Sequence, residues 1–546
     1  MVGSRRSDSW SVSAWDSPAG EGFVGCSPHR RIRSVISMTA DTNSQFARAV
    51  EERRGLSHVT VPHIVGGLEY FEGPLLQRED PSHPNVIVSA CHEAPAELVG
   101  RAVAESREAQ RLWRQVPLRE RIERVASAIP FAEAHVEDWA VRVALEIGKP
   151  YAAAHAEAAE VVEILRSYVA YAAAPGAFED DRTADPSGVA SDSVLKPYGV
   201  FGVITPFNYP IVQAAGPAIA ALLAGNGVVV KTSHHGPWSG HAVAELCGGM
   251  DLPAGLVAVI HGADDPGRAL VASGIDGVSF TGSVAVGRAI LRSFQEGPYP
   301  RPVIAEMGGK NPVIVTDSAD LEQAADGIIF SAFDLGGQKC SALSRVLVTP
   351  GVRDRLVELL EERVRVLVMG DPVDDGVFAG PVVTRAAAAH HASLVESARA
   401  EGFRVAESLT KGDGYFVPSV VVSGVPSSHD LATIEHFVPF LTVSEVADLD
   451  SALTVANATD MGLTAGIYTG DRDEARAFLD RVEAGCVNVN VPGHATTGWW
   501  PGPQTFGGWK GSGSTGKHTL GKWYFQLFTR QQARKIPREL EDLLVS

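Results

Sequence analysis

From Val200 onward the chain alternates short apolar runs with helical patterns: Val200 to Thr205, a helix from Ala214 to Leu223, then Val228 to Lys231, Val257 to His261 and Gly277 to Thr281. Short runs without polar alternation must be covered on both faces. A helix after a strand carries the chain back over the sheet to begin a parallel neighbour. The pattern predicts an α/β fold with a Rossmann-type parallel sheet, whose ligands sit beyond the carboxyl ends of the strands.

A second βα series begins at Val313 to Val315 and continues through a helix from about Ala319 to Phe333. A further helix from Val352 to Leu367 carries the apolar stripe Val352, Leu356, Leu360, Val364 and Leu367. Ahead of both series, Ala96 to Tyr171 reads as cover helices. Glu179 to Asp192 is polar and leads into an extended segment, and the aromatic run Trp523 to Phe528 suits a strand. The 546 residues, 45% hydrophobic, call for two or three domains.

The formal net charge of -18 argues against a nucleic-acid partner, which requires a clustered basic surface. Cys26, Cys91, Cys247, Cys340 and Cys486 are scattered with no CxxC pair, which argues against zinc and disulfides and for a reducing, cytoplasmic setting. The most apolar stretch, Ile211 to Val230, is interrupted by Gln213, Pro217, Gly225, Asn226 and Gly227, so no membrane span is expected. Residues 1–45, rich in Ser, Arg and Gly, resemble no leader peptide and are expected to form a disordered tail, with Met38 as an alternative start.

Four motifs carry chemistry. Cys340, in Gly336-Gly337-Gln338-Lys339-Cys340-Ser341-Ala342, has the small neighbours of a nucleophile at a loop-to-helix junction. Glu306, in Ala305-Glu306-Met307-Gly308-Gly309-Lys310, offers a base to hydrolyse an acyl adduct. Asn208, in Pro206-Phe207-Asn208, ends the first strand and can donate to an oxyanion without adding charge. Phe280-Thr281-Gly282-Ser283-Val284-Ala285-Val286-Gly287 joins a strand to a helix whose N-terminus suits a pyrophosphate. Alone, each residue has a plainer role: a buried thiol, a surface carboxylate, a turn cap, a tight bend. Lys231 by itself is a strand-end lysine, His234 and His235 are solvated loop histidines, and no ligand set for a metal recurs.

The order Asn208, Lys231, Gly282, Glu306, Cys340, Glu435 and Phe437 resembles the aldehyde dehydrogenase superfamily over about residues 85 to 532. Leu145-Glu146-Ile147-Gly148-Lys149-Pro150, Leu252-Pro253-Ala254-Gly255, Gly370-Asp371-Pro372 and Asn457-Ala458-Thr459-Asp460-Met461-Gly462-Leu463 extend the likeness. The resemblance implies an NAD(P)-binding domain (46–178 and 198–307), a catalytic domain (308–507) and an oligomerisation element (179–197 and 518–546) that gives homodimers or homotetramers. It also implies oxidation of a small-molecule aldehyde to an acid, without a metal, through a thiohemiacetal and thioester on Cys340. Asn208 and the Cys340 N–H would hold the oxyanion and Glu306 would activate water. Lys231 and Glu435 would hold ribose, Ser283 the pyrophosphate and Phe437 the nicotinamide end, with Thr205, Pro206, Ser233, Gly282 and Gly287 completing the cofactor site.

The segments Arg301 to Pro312, Gln338 to Ala342 and Phe506 to Gly513 look like the 1-pyrroline-5-carboxylate (glutamate semialdehyde) dehydrogenase branch. That likeness implies substrate contacts at Ser341, Gly498 and Trp499. Trp499 stands where the branch usually has Ala. It leaves open an aromatic or apolar aldehyde stacked among Trp499, Trp500 and Trp509, or a tryptophan-lined subunit interface. His234 stands where NAD-preferring members carry an acid, so NAD is expected with NADP still open. Val438 replaces a usual Gly beside Phe437. A CoA-acylating enzyme would not need Glu306, and a non-catalytic protein on this fold would not need Cys340, Glu306 and Asn208 together.

Overall fold

The computed structural model describes residues 40–178, 183–184, 189–497, 504–537 and 539–540. Gly498, Trp499 and Trp500 lie outside the described residues. The first seven-stranded sheet runs, edge to edge, Val303–Glu306, Gly277–Thr281, Val200–Ile204, Gly227–Ser233, Val257–Gly262, His63–Val65 and Leu68–Tyr70. Its first five strands are parallel, and the last two add antiparallel. Successive strands spread in one direction from Val200–Ile204, then the chain returns to lay Gly277–Thr281 on its other side. This reversal opens the crevice where parallel sheets hold ligands. The apolar runs after Val200 form these strands because each is buried on both faces.

Between Glu306 and Asn311 the chain crosses to a second seven-stranded sheet. Its order is Arg404–Glu407, Val420–Ser423, Phe440–Glu445, Leu343–Val348, Asn311–Val315, Thr464–Tyr468 and Cys486–Val489, parallel except at the Arg404–Glu407 edge. Helices Leu321–Phe333 and Pro350–Val366 cover this sheet, and their apolar faces form a core with Val313, Val346 and Leu441. Helices Ala96–Trp113, Leu118–Ala126, Ile129–Ile147 and Tyr151–Ala172 account for the expected cover helices.

Two expectations are corrected. Residues 40–45, expected to belong to a disordered tail, are helical, because a helix begins at Ala40 and runs to Arg54. Phe46 and Val50, four residues apart on one helix face, are buried there, with Phe46 4.7 Å from the Tyr151 ring. The aromatic run Trp523 to Phe528 is not a strand. Tyr524–Phe528 is a 3-10 turn whose Tyr524, Phe525 and Phe528 are all buried; Phe525 stacks on Phe178 and Phe528 meets Phe201, each at 4.8 Å. A strand would have turned alternate rings to the other face.

The strand proper follows at Thr529–Pro537 and pairs antiparallel with Val189–Pro197, from Thr529↔Pro197 to Pro537↔Val189. An Arg534–Asp192 ion pair ties the two strands. A three-stranded sheet of Val59–Val61, Leu75–Asp80 and His83–His92 precedes the cover helices and was not read from the sequence. Among the described residues no helix is long and apolar enough to cross a membrane.

Candidate active site

Cys340 is held by an unusual turn. Helix Leu321–Phe333 stops at Asp334, and Leu335, Gly336 and Gly337 then all adopt positive φ of 56°, 58° and 68°. A Cβ at Gly337 would lie 2.6 Å from the Val438 carbonyl oxygen, so glycine is required there on both conformational and steric grounds. Cys340 follows in a turn that enters strand Leu343–Val348, not a helix as its neighbours suggested. Small residues serve here a close approach between two loops. Without a helix N-terminus, the groups favouring a thiolate are the backbone N–H groups of Ser341 and Cys340. Burial outweighs them and, with Glu435 and Glu306 nearby, pushes the thiol up to about 12.

The loop is anchored from beneath. Asn311 Nδ2 donates to the carbonyls of Cys340 at 2.7 Å and Ala342 at 2.8 Å. Asn208 lies beyond strand Val200–Ile204, and its Nδ2 donates to the Gln338 carbonyl at 2.9 Å. Gln338 is itself buried, accepting at Oε1 from the Val383 N–H at 2.8 Å.

The residues next to this pair are also joined. Tyr209 and Lys339 share a side-chain hydrogen bond, and Lys339 pairs with Asp334. The Lys149 ammonium lies 3.6 Å from the Tyr209 ring centroid and 2.5 Å from Glu157, whose other oxygen accepts from the Ile211 N–H at 3.0 Å. Lys339 and Tyr209 were not singled out from sequence; a long cation in a loop of small residues was the available signal.

Glu306 ends the edge strand Val303–Glu306, level with Thr281. Its carboxylate accepts from the Gly508 N–H at 3.3 Å, and its backbone carbonyl accepts from the Gly282 N–H at 3.1 Å. Burial raises this carboxyl well above the ordinary range. In the resting arrangement Cys340 is a thiol and Glu306 is held toward its protonated form. Glu435 reaches the same loop, accepting from the Gly309 N–H at 2.9 Å. A Cβ at Gly308 would sit 1.9 Å from Glu435 Oε2, which explains one glycine of the Gly308-Gly309 pair. Phe437 has a φ of 58°, and its ring meets Phe207 edge-on at 6.0 Å.

Across the crevice, Thr205 and Pro206 follow Val200–Ile204, and Lys231 and Ser233 close Gly227–Ser233. Ser283 caps helix Val284–Gln295, accepting from the Val286 N–H, and a Cβ at Gly287 would lie 2.5 Å from Met307 Sδ. The helix therefore sits close against the Glu306 segment. The Thr205 hydroxyl is buried with no hydrogen-bond partner, and Lys231 is lowered to about 8 by burial. An orphaned hydroxyl and a buried ammonium fit a dinucleotide, because each lacks a partner that a ribose or pyrophosphate supplies.

Ser341 adjoins the described segment that ends at Thr497: its carbonyl accepts from Thr496 Oγ1 at 2.8 Å. Trp509, 48% exposed, lies on a two-residue strand paired with Met461–Gly462. The aldehyde dehydrogenase family model matches residues 73–533. The chain belongs to the aldehyde dehydrogenase family. This aldehyde dehydrogenase is 36% identical over 442 residues to N-succinylglutamate 5-semialdehyde dehydrogenase 1 of Caulobacter vibrioides, covering 78% of the chain and 87% of the relative. It is 30% identical over 496 residues to 1-pyrroline-5-carboxylate dehydrogenase of Geobacillus thermodenitrificans, covering 88% and 94%. A solved 1-pyrroline-5-carboxylate dehydrogenase from Thermus with bound NAD superposes with a TM-score of 0.85 at 27% identity, covering 92% of this chain and 97% of that one. The aldehyde dehydrogenase fold is thus present from the first sheet to the late strand.

Proposed function

We propose that this aldehyde dehydrogenase oxidises a carboxylate-bearing semialdehyde, glutamate semialdehyde among the candidates, to the corresponding acid with NAD(P). The observation that carries the reading is the bond from Asn208 to the Gln338 carbonyl two residues ahead of Cys340, with Glu306 near enough to raise the Cys340 thiol. The names of several relatives support the substrate class, since each acts on a semialdehyde or its cyclic equivalent. Ser341, beside Cys340, supplies a hydroxyl for the distal carboxylate.

Thr205, Pro206, Lys231, Ser233, Gly282, Ser283 and Gly287 hold the dinucleotide, with Glu435 and Phe437 at its nicotinamide end. When bound, the nicotinamide supplies the hydride acceptor for aldehyde oxidation. Cys340 gives its proton to solvent water and the sulfur adds to the aldehyde carbon. The oxyanion so formed accepts from the second Nδ2–H of Asn208 and from the Cys340 backbone N–H. After oxidation the acyl group is a thioester on Cys340. Glu306, once deprotonated, takes a proton from water, the resulting hydroxide adds to the thioester carbon, and the acid leaves as the sulfur regains its electron pair.

Residues 46–178 with 198–307 serve as the cofactor domain and 308–507 as the catalytic domain. The paired strands Val189–Pro197 and Thr529–Pro537 belong to the subunit contact of a homodimer or homotetramer working in the cytoplasm. A panel of semialdehydes, aromatic aldehydes and short aliphatic aldehydes, followed by reduced-cofactor formation, tests the reading. The highest kcat/KM should fall on a carboxylate-bearing semialdehyde, and preference for an aromatic aldehyde would refute the substrate class.

A further inference from the structure

The cofactor crevice has a rim that the reaction chemistry does not use. Strands Gly227–Ser233 and Val257–Gly262 pair in parallel, with Thr232 opposite His261 and Ser233 opposite Gly262. His234 therefore leaves one strand and Asp264 leaves its neighbour at the same edge, immediately beyond Lys231. Four carboxylates gather there. Asp264 and Asp265 begin helix Asp265–Ala272, Glu93 accepts from the Ala263 N–H at 3.0 Å, and Glu79 lies on the His234 side.

The four carboxylates outnumber the cations of this rim, two of which are already paired with rim carboxylates. Arg268 bonds Asp264 at 3.2 Å and Asp265 at 2.6 Å. Arg78 is buried, its Nε donates to the Glu146 carbonyl at 2.9 Å and its Nη1 lies 3.5 Å from Glu79. Lys231 remains, with Asp264 as the main neighbour favouring its charge against burial. Beside Lys231 the buried, unpartnered Thr205 hydroxyl marks the position as one that receives a ligand. A neutral 2'-hydroxyl tolerates this acidic rim. A 2'-phosphate carries about 1.5 to 2 negative charges at neutral pH and meets repulsion from the rim.

We propose that Asp264 makes this enzyme select NAD over NADP, by keeping a carboxylate where the 2'-phosphate of NADP would have to lie. The proposal rests on the reading that Lys231 and Thr205 face the adenosine ribose. It assigns to a residue after the third strand the discrimination that His234 cannot provide.

Equilibrium binding of NAD+ and NADP+ to the full-length protein, by calorimetry without aldehyde, tests it independently of turnover. In the wild type, NADP+ should bind about tenfold more weakly than NAD+. Asp264→Asn should narrow that ratio by about fivefold, chiefly by tightening NADP+, as expected for removal of one exposed charge. The Asp264 side chain is 83% exposed, so the fold should tolerate the change, and Asp264→Ser provides a second variant with the same expected direction. Equal affinities in the wild type, or an unchanged ratio in both variants, would overturn the proposal alone. Failure of both dinucleotides to bind would overturn the cofactor reading itself.

Discussion

The side-chain amide of Asn208 donates to the backbone carbonyl of Gln338 at 2.9 Å, two residues ahead of Cys340. One amide hydrogen is thereby spent on holding the loop and the other is left for chemistry. A residue just beyond the first sheet and a loop leading into the second sheet are joined at the proposed oxyanion position. Asn208→Ala should lower kcat by about 10²- to 10³-fold, the usual cost of losing one oxyanion donor. NAD+ affinity, measured by calorimetry, should stay unchanged.

The Tyr209–Lys339 bond backs up that contact and predicts a positioning role. Lys339→Met removes the partner of both Tyr209 and Asp334 and should reduce kcat by about tenfold, with KM for the aldehyde little altered. Lys339→Arg should recover part of the loss, because it restores the charge that Asp334 pairs with. Steady-state kinetics of the two variants separate this role from a general loss of folding, which would lower active-site titre instead.

The resting thiol has a direct signature. Cys340 is pushed up to about 12 by burial, so the thiolate fraction of the free enzyme is small at neutral pH and grows about tenfold per pH unit. Alkylation of Cys340 by iodoacetamide, followed by peptide mass spectrometry, should accelerate accordingly between pH 7 and 9. A pH-independent rate would mean that the free enzyme already carries a thiolate.

Stability should fall on the acid side because of buried histidines beside the cofactor strands. His63, His241 and His261 cluster near the edge of the first sheet, with the His63 and His261 rings 5.6 Å apart and His261 bonded to Thr232 at 2.6 Å. Burial lowers His63 and His241 to about 4 and His261 further. Their folded values lie below the unfolded one, so below about pH 6.5 the unfolded chain binds protons that the folded chain refuses. Stability is complete above that pH. It drops by about 1.4 kcal/mol per pH unit for each histidine until its folded value is reached. Urea midpoints at pH 7.5 and 5.0 check this, and His241→Gln should flatten the dependence.

The parallel strands after Val200 were legible because doubly covered strands are written as unbroken apolar runs. His83–His92 and Leu75–Asp80 were not, since His83, Pro84, Asn85, Gln77 and Arg78 break any such run and both strands stay partly exposed. Tyr524–Phe528 was misread because aromatic density suits a strand and a buried 3-10 turn alike. At the site, Cys340, Glu306 and Asn208 stood out through their motifs. The fit of Glu435 against Gly308 and Gly309 spans 126 residues and exists only once the second sheet has formed. The Asp264 rim was hidden for the same reason, since the register between two strands brings it to Lys231.

The central claim is that aldehyde carbon becomes covalently attached to Cys340 and that Glu306 releases it. The most direct measurement is intact-protein mass spectrometry of Glu306→Gln after mixing with NAD+ and a semialdehyde, with NADH followed in parallel. The account predicts a burst of NADH stoichiometric with active sites and an acyl mass increment on Cys340 that persists as turnover stalls. Steady NADH formation at the wild-type rate with no adduct on Cys340 would contradict it.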